Sequence, residues 1–563
     1  MTRLLLLLAV LLPALAAAQE AAPPARYVAT GGVVYTVDDD RPTAEAFAVE
    51  DGRFVAVGSD DEVRAAYPDW PRLDLGGAAV VPGLIDAHAH LLGLGTSLLQ
   101  ADLVGATSRA EVVERLQAFA ADLPDGAWVT GRGWDQNDWG EGEPFPTRAD
   151  LDAAFPDRPV WLGRIDGHAS WANTAALRAA GIDPEAPAPS DPEGGAVVRD
   201  EAGRPTGVFV DAAEALVARA LPAPDAAVSE EALRRALEET TKYGLTGVHE
   251  AGVPIESLDL YRRAIDAGRF PIRNYAMLSE DELGAFCERY PDGLEHGGRL
   301  VARSLKVYAD GALGSRGAAL LADYSDEPGN QGLLFHPDAA LRQTVEDAMR
   351  CGLQVNTHAI GDRANRQVLD AYETALAATG GADGGVDRGA GRHRIEHAQV
   401  LSLDDLERFA ALGVIASVQP THATSDMPWV ETRVGGDRAR GAYAWRRLVD
   451  SGARLALGSD FPVERVDPLL GFHAAVTRQD AADAPAGGWY GNQTLTRAEA
   501  LRGFTLDAAY AAFMEDEVGS IEPGKRADFV LLSRDIMTAP PEAILDARVL
   551  ATYLDGAPVY QAD

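Results

Sequence analysis

The chain has 563 residues and a formal net charge of −36. That balance excludes nucleic acid as a partner, because a phosphate backbone calls for a basic face; the acidity fits a solvated surface. Two cysteines, Cys287 and Cys351, exclude a disulfide framework. An oxidising compartment would permit one bond between them, and two buried thiols is the plainer reading.

The first element is "MTRLLLLLAVLLPALAAAQ". One arginine precedes an apolar run that ends in small residues, which predicts a secretory signal peptide over residues 1–18, cut after Ala18. The competing reading, a membrane anchor, needs roughly 20 apolar residues; this run is shorter, and no cysteine follows it for a lipid. No later stretch is apolar for long enough to span a bilayer. The expectation is an exported protein, periplasmic or secreted, without membrane contact after cleavage.

Residues 26–78 alternate apolar and polar side chains between Gly and Asp turns, the texture of short antiparallel strands. The same texture returns over 515–563. Neither segment could bury a core alone, so the two are expected to form one β-sandwich that brings the chain ends together.

Between them, over 79–510, short apolar runs alternate with helical stretches, which indicates βα units and a parallel sheet. Eight candidate strands are read at 79–90, 245–252, 271–278, 303–310, 353–359, 393–399, 413–420 and 454–460. The expected fold class is α/β, a (β/α)8 TIM barrel with the composite sandwich. Strand one ends at 90 and strand two begins at 245, far more than a βα connection needs. Residues 100–230 are therefore expected to be a subdomain inserted after strand one, with a hairpin in "GGAVVRDEAGRPTGVF". The Gly-rich 378–392 reads as a surface loop.

Chemistry-bearing residues gather at matching strand ends. His88 and His90, at i and i+2, share one face of strand one. Lys306 lies on strand four, His358 ends strand five, His397 strand six and Asp460 strand eight. The C-terminal face of a barrel is where such enzymes keep their active sites. Imidazole and carboxylate donors suit zinc and related divalent ions, which lower the pKa of water, and a carboxylate beside them can move the proton. Lys306 is one of three lysines among 50 basic residues. An ammonium has no acceptor for a cation, but a carbamate formed on it would be a carboxylate able to bridge two metals; arginine, a permanent cation, is no substitute. Singly, each residue has a structural alternative: Lys306 as the buried partner of Asp310, Asp460 as a cap, a lone His as a hydrogen-bonded core residue.

Taken in order and spacing, "VPGLIDAHAH", "SLKVYADGALGSRGA", "NTHAIGDRA", "RIEHAQV", "SVQPTH", "LGSDFPV" and "GSIEPGKRADFVLL" resemble the metal-dependent amidohydrolase superfamily. They are most similar to its family-3, YtcJ-like branch, which includes N-substituted formamide deformylase. The resemblance spans nearly all of the chain after the signal. It implies His88, His90, Lys306, His358, His397 and Asp460 as ligands of one or two divalent ions, with zinc expected. In the binuclear form Lys306 is carboxylated, and Asp460 doubles as acid/base. The implied activity is metal-activated hydroxide attacking a C–N amide-type bond, not a peptide bond, in a small molecule. A cyclic amide, ester or deamination substrate on the same scaffold, and a noncatalytic exported metal- or ligand-binding protein, are the alternatives; a homodimer is left open.

Lesser candidates remain. Trp134, Asp135 and His168, in the insertion, could contact substrate or build the subdomain's own core. His422, after strand seven, could polarise a carbonyl or be incidental. Arg316 could bind a carboxylate with its fork or form an ion pair. His249 could support the site or simply pack.

Overall fold

The structure, a computed structural model, describes residues 25–124, 126–140, 144–192, 194–222, 225–379 and 391–562. The expected signal stretch 1–18 and most of the Gly-rich 378–392 segment lie outside these. No described helix is long and apolar enough to cross a membrane.

The central sheet follows from chain order. Its strands are β1 (Leu84–Ala89), β2 (Leu245–Val253), β3 (Arg273–Ser279), β4 (Leu300–Tyr308), β5 (Gln354–Ala359), β6 (Arg394–His397), β7 (Ile415–Val418) and β8 (Leu455–Leu457). Each pairs in parallel with the next. Just beyond β8 the ring meets its beginning: Asp460 N–H donates to His88 O at 2.7 Å and His90 N–H to Phe461 O at 2.8 Å. Burial on both faces is what parallel strands covered by helices require. In β5, for example, Thr357 turns outward to bond Tyr372 of the following helix, Asp362–Thr379, at 2.7 Å. The covering helices form for local reasons. Ala226–Lys242, which leads into β2, is capped by Asp225, whose side chain accepts from Val228 N–H at 2.9 Å. Its Leu233, Ala236, Leu237 and Thr240 recur at helical spacing and are buried.

Both ends of the described chain enter two further sheets. One is four-stranded, ordered 53–58, 46–50, 26–30, 72–74. The other is six-stranded, ordered 557–561, 549–554, 529–532, 79–82, 33–35, 43–44. Phe47, Phe54, Phe529 and Tyr553 fill the space between them, with Phe529 stacked on Tyr553 at 4.3 Å. Residues 79–90, read above as one strand, are two. Ala79–Pro82 pairs antiparallel with Phe529–Leu532, and β1 begins only at Leu84. Gly83 makes the passage, because a Cβ there would lie 2.2 Å from Thr246 Oγ1.

A fourth sheet occupies the span between β1 and β2. Its order is 195–199, 205–211, 169–172, 160–164, 129–134, 101–102, with 195–199 and 205–211 paired as a hairpin. Cys287 and Cys351 are bonded to each other, which corrects the reading of two buried thiols. The bond joins the helix Leu283–Arg289, after β3, to the end of the helix Asp338–Arg350, before β5.

Candidate metal centre

The expected ligands converge at one rim of the barrel. His90 Nε2 is 3.1 Å from Asp460 Oδ1, and His88 Nε2 is 3.6 Å from the same oxygen. Lys306 Nζ is 3.2 Å from His88 Nε2. The His397 ring lies 4.8 Å from that of His88 and 4.5 Å from that of His358. His422 Nε2 reaches to 3.7 Å from Asp460 Oδ2.

The other nitrogen of three of these imidazoles is taken by an oxygen. His88 Nδ1 bonds Glu396 Oε2, His90 Nδ1 bonds Ala251 O at 3.0 Å, and His397 Nδ1 bonds Gln419 Oε1 at 2.9 Å. Each bond fixes the ring and leaves Nε2 for the centre, which is how metal-binding histidines are held. His358 Nε2 and His422 Nε2 are buried without a hydrogen-bond partner, a costly condition for a polar atom unless something binds it. Among the described residues two three-donor sets stand out, His88–His90–Asp460 and His397–His422–Asp460. In each, the donor atoms lie within 4.8 Å of one another. These donors fit a divalent ion.

Backbone strain contributes to the convergence. Strand alternation would send Glu396 and His397, consecutive in β6, to opposite faces. His397 has φ of +74° and Ala398 +41°, which breaks the alternation so that both side chains reach the same cluster. Asp460 also lies in the left-handed region, at +63°. Non-glycine residues persist there only where the surroundings hold them, commonly at functional sites.

The electrostatics suit metal binding. Burial is the largest influence on His88 and brings it down to about 4; burial also pushes His358 and His397 well below their ordinary range. All three are neutral donors at neutral pH. Burial lowers the Lys306 amine to about 8, against the upward pull of Glu396 and Asp460. Burial alone would raise Asp460, but His88, His90 and His422 around it hold it well below the usual carboxylate range. Lys306 is not the partner of Asp310, one of the alternatives above. Asp310 accepts instead from the backbone N–H groups of Ala319, Ile360 and Gly361 at 2.8, 2.9 and 2.8 Å.

Two supports escaped the sequence reading. Glu396 is fully buried, joins Arg394 Nε at 2.7 Å and holds His88; Arg394 in turn reaches His249 Nδ1 at 2.9 Å, which makes His249 part of this buried network. Asp86 accepts from Ser459 N–H at 3.0 Å, Ser459 Oγ at 2.6 Å and His88 N–H at 3.1 Å, tying β1 to the segment that carries Asp460. Gly458 admits that carboxylate, since a Cβ there would lie 2.6 Å from Asp86 Oδ1. The signal for both was charge at alternate positions, Asp86 with His88 and Arg394 with Glu396, inside otherwise apolar strands.

The insertion residues divide. His168 comes to the cluster: its ring is 5.5 Å from that of His358 and its Nδ1 is 2.7 Å from Asp211 Oδ1. Burial alone would lower it, but Asp211, Asp166 and Glu214 together outweigh burial and raise it to about 9. Trp134 does not come to the cluster. It is 0% exposed in the insertion's own core, its indole N–H donating to Leu162 O at 2.9 Å, so the substrate-contact reading gives way to packing. Asp135 is engaged by Arg164 and by Asn137 N–H at 2.9 Å. Arg316 does find carboxylates, those of this chain, Asp326 at 2.8 Å and Glu327 at 3.1 Å, the ion-pair alternative given above. One contact not foreseen couples insertion and rim: the Arg132 guanidinium donates to Pro462 O, two residues past Asp460, and to Ile165 O at 2.7 Å.

Comparison with known proteins gives this arrangement its relatives. The model of the amidohydrolase family matches residues 73–560. A short match to an imidazolonepropionase-like composite domain, 46–69, falls on the terminal sheets and not on the centre. The chain is 35% identical over 542 residues to the YtcJ protein of Bacillus subtilis, named as an amidohydrolase, covering 94% of this chain and 98% of that one. It is 31% identical over 547 residues to N-substituted formamide deformylase of Arthrobacter pascens, covering 94% and 97%. The crystal structure of an uncharacterized metal-dependent hydrolase from Pyrococcus horikoshii superposes with a TM-score of 0.74 at 29% identity, over 92% of this chain and 99% of that one. The chain belongs to the amidohydrolase family, as a metal-dependent hydrolase.

Proposed function

We propose that the protein is an exported hydrolase of a C–N amide-type bond, not a peptide bond, in a small molecule. His88, His90, Lys306, His358, His397 and Asp460 would hold one or two divalent ions, zinc the expected one, with Lys306 carboxylated if two bind. The observation that carries this is the set of three imidazoles, two of them buried, with Nδ1 anchored and Nε2 turned to a common centre beside Asp460. Similarity to an N-substituted formamide deformylase supports the bond type. The apolar N-terminal run and the Cys287–Cys351 bond support export, since disulfides persist in oxidising compartments.

A bound divalent ion supplies a Lewis acid for the carbonyl and acidifies water. The chain does the rest. Asp460, ionised, takes the proton from the attacking water and delivers it to the leaving nitrogen. Glu396, Ala251 and Gln419 keep the imidazoles aimed through the cycle. His168, fixed by Asp211, presents its imidazole beside His358, where a substrate carbonyl or its substituent would lie.

A hydrolysis screen of N-formyl and N-acyl amines, with and without chelator, tests the reading. Chelator-sensitive release of the amine is expected. Turnover confined to esters or cyclic amides would move the reaction to another bond, and no turnover on any of these by the metal-loaded protein would favour a binding protein.

A further inference from the structure

We propose that His422 is itself a metal ligand, and that with His397 and Asp460 it forms a second three-donor set which requires no contribution from Lys306. The proposal rests on the metal-dependent reading above and departs from the carbonyl-polarising role expected for His422. Its basis is position. His422 Nε2 is buried, has no hydrogen-bond partner, and lies 3.7 Å from Asp460 Oδ2. That separation is too long for a hydrogen bond and suits two donors facing one cation between them. The His422 ring is nearly parallel to that of His397, 13° apart with centroids 5.8 Å apart. Donor atoms of His397, His422 and Asp460 all fall within 4.8 Å of one another.

The local chain explains the pairing. Gln419 anchors His397 Nδ1 and immediately precedes the short helix Pro420–Asp426 that carries His422. One four-residue stretch therefore orients one imidazole and supplies the other. Asp460 is common to both three-donor sets, using Oδ1 toward His90 and Oδ2 toward His422. Were a second ion bound, His397, His422 and Asp460 would hold it, and a carboxylated Lys306 would strengthen that site without being its precondition.

Two measurements decide the matter. First, a crystal structure of the zinc-loaded wild-type protein, with ions located by anomalous scattering, should place His422 Nε2 at about 2.0–2.1 Å from an ion; His422 beyond about 3 Å from every ion overturns the proposal. Second, metal affinity is compared for wild type, His422→Ala and Lys306→Ala by competition with a chromophoric chelator. Residues that only orient a ligand typically account for about 10–100-fold in affinity. A direct ligand should exceed that, so His422→Ala should weaken one ion by more than about 100-fold while Lys306→Ala retains His422-dependent binding. Loss of that ion in Lys306→Ala with His422→Ala unaffected would assign it to the lysine set instead. A wild-type protein that binds no divalent ion would sink the metal-dependent reading together with this one.

Discussion

Replacing Glu396 separates its two tasks, holding His88 and neutralising Arg394. Both Glu396 and Arg394 are 0% exposed, joined at 2.7 Å. Arg394 otherwise has neutral partners, Ser417 Oγ and His249 Nδ1 at 2.9 Å each, and Ala87 O. Glu396→Ala strands a buried guanidinium, a kind of loss that destabilises by about 3–5 kcal/mol. Glu396→Gln keeps an oxygen for His88 Nδ1 but turns an amide NH2 toward Arg394 Nε, so it shares the destabilisation of Glu396→Ala. What sets the two apart is the metal, which Glu396→Ala should weaken by about 10–100-fold, or roughly 1.4–2.8 kcal/mol, and Glu396→Gln by less. Urea denaturation of the metal-free proteins reads the first effect and chelator competition the second. There is also a pH signature. Burial alone would raise Glu396, but Arg394 and His88 hold it well below the usual carboxylate range. Between that depressed value and about 4.3, the unfolded chain binds a proton that the folded chain refuses. Stability therefore rises with pH across the interval and is lost on acidification. Glu396→Gln should flatten this limb. Wild-type metal affinity and wild-type stability in Glu396→Ala would refute the account of both roles.

Other outcomes follow from the same geometry. Asp460→Asn should keep the fold and lower turnover by about 10²–10⁴-fold, checked by circular dichroism and initial rates; retained turnover would remove Asp460 as the proton carrier. Lys306→Arg should lose activity and the lysine's share of metal binding while remaining folded, because a guanidinium neither gives up its proton nor takes up carbon dioxide; near-normal activity would refute the carbamate. Cys287→Ser opens a loop whose ends are 64 residues apart and should lower stability by about 4 kcal/mol, read as a shift in the urea midpoint that reducing agent reproduces in the wild type. Sequencing the N-terminus of protein recovered from the cell envelope should begin after Ala18; an intact Met1 would end the export proposal.

Much of the barrel and its rim was legible because the relevant signals are local. A βα alternation marks parallel strands, and His88 and His90 at i and i+2 must share a face. What escaped was set by tertiary context. The break at Gly83 depends on a partner strand more than 440 residues later, Phe529–Leu532, so nothing local distinguished 79–82 from β1. Periodicity would have sent His397 away from Glu396, and only the left-handed backbone brings the two together. Trp134 and Arg316 carried residue types that often bind substrate, yet one is sealed in a core and the other is satisfied by Asp326 and Glu327; type alone cannot tell a free side chain from an engaged one. The cysteine pair was undecidable for the same reason, since bonding depends on how two helices pack.

Strand pairing between Ala79–Pro82 and Phe529–Leu532 also imposes an order on biogenesis. The segment that leads directly into His88 and His90 acquires one of its two neighbours only when nearly the whole polypeptide has left the ribosome. Until then β1 hangs from an incomplete sheet, and the rim it helps to build lacks a fixed edge. A nascent chain of this design stays unfinished until synthesis is almost over, so the barrel's first strand gains its full set of neighbours only at the end of translation.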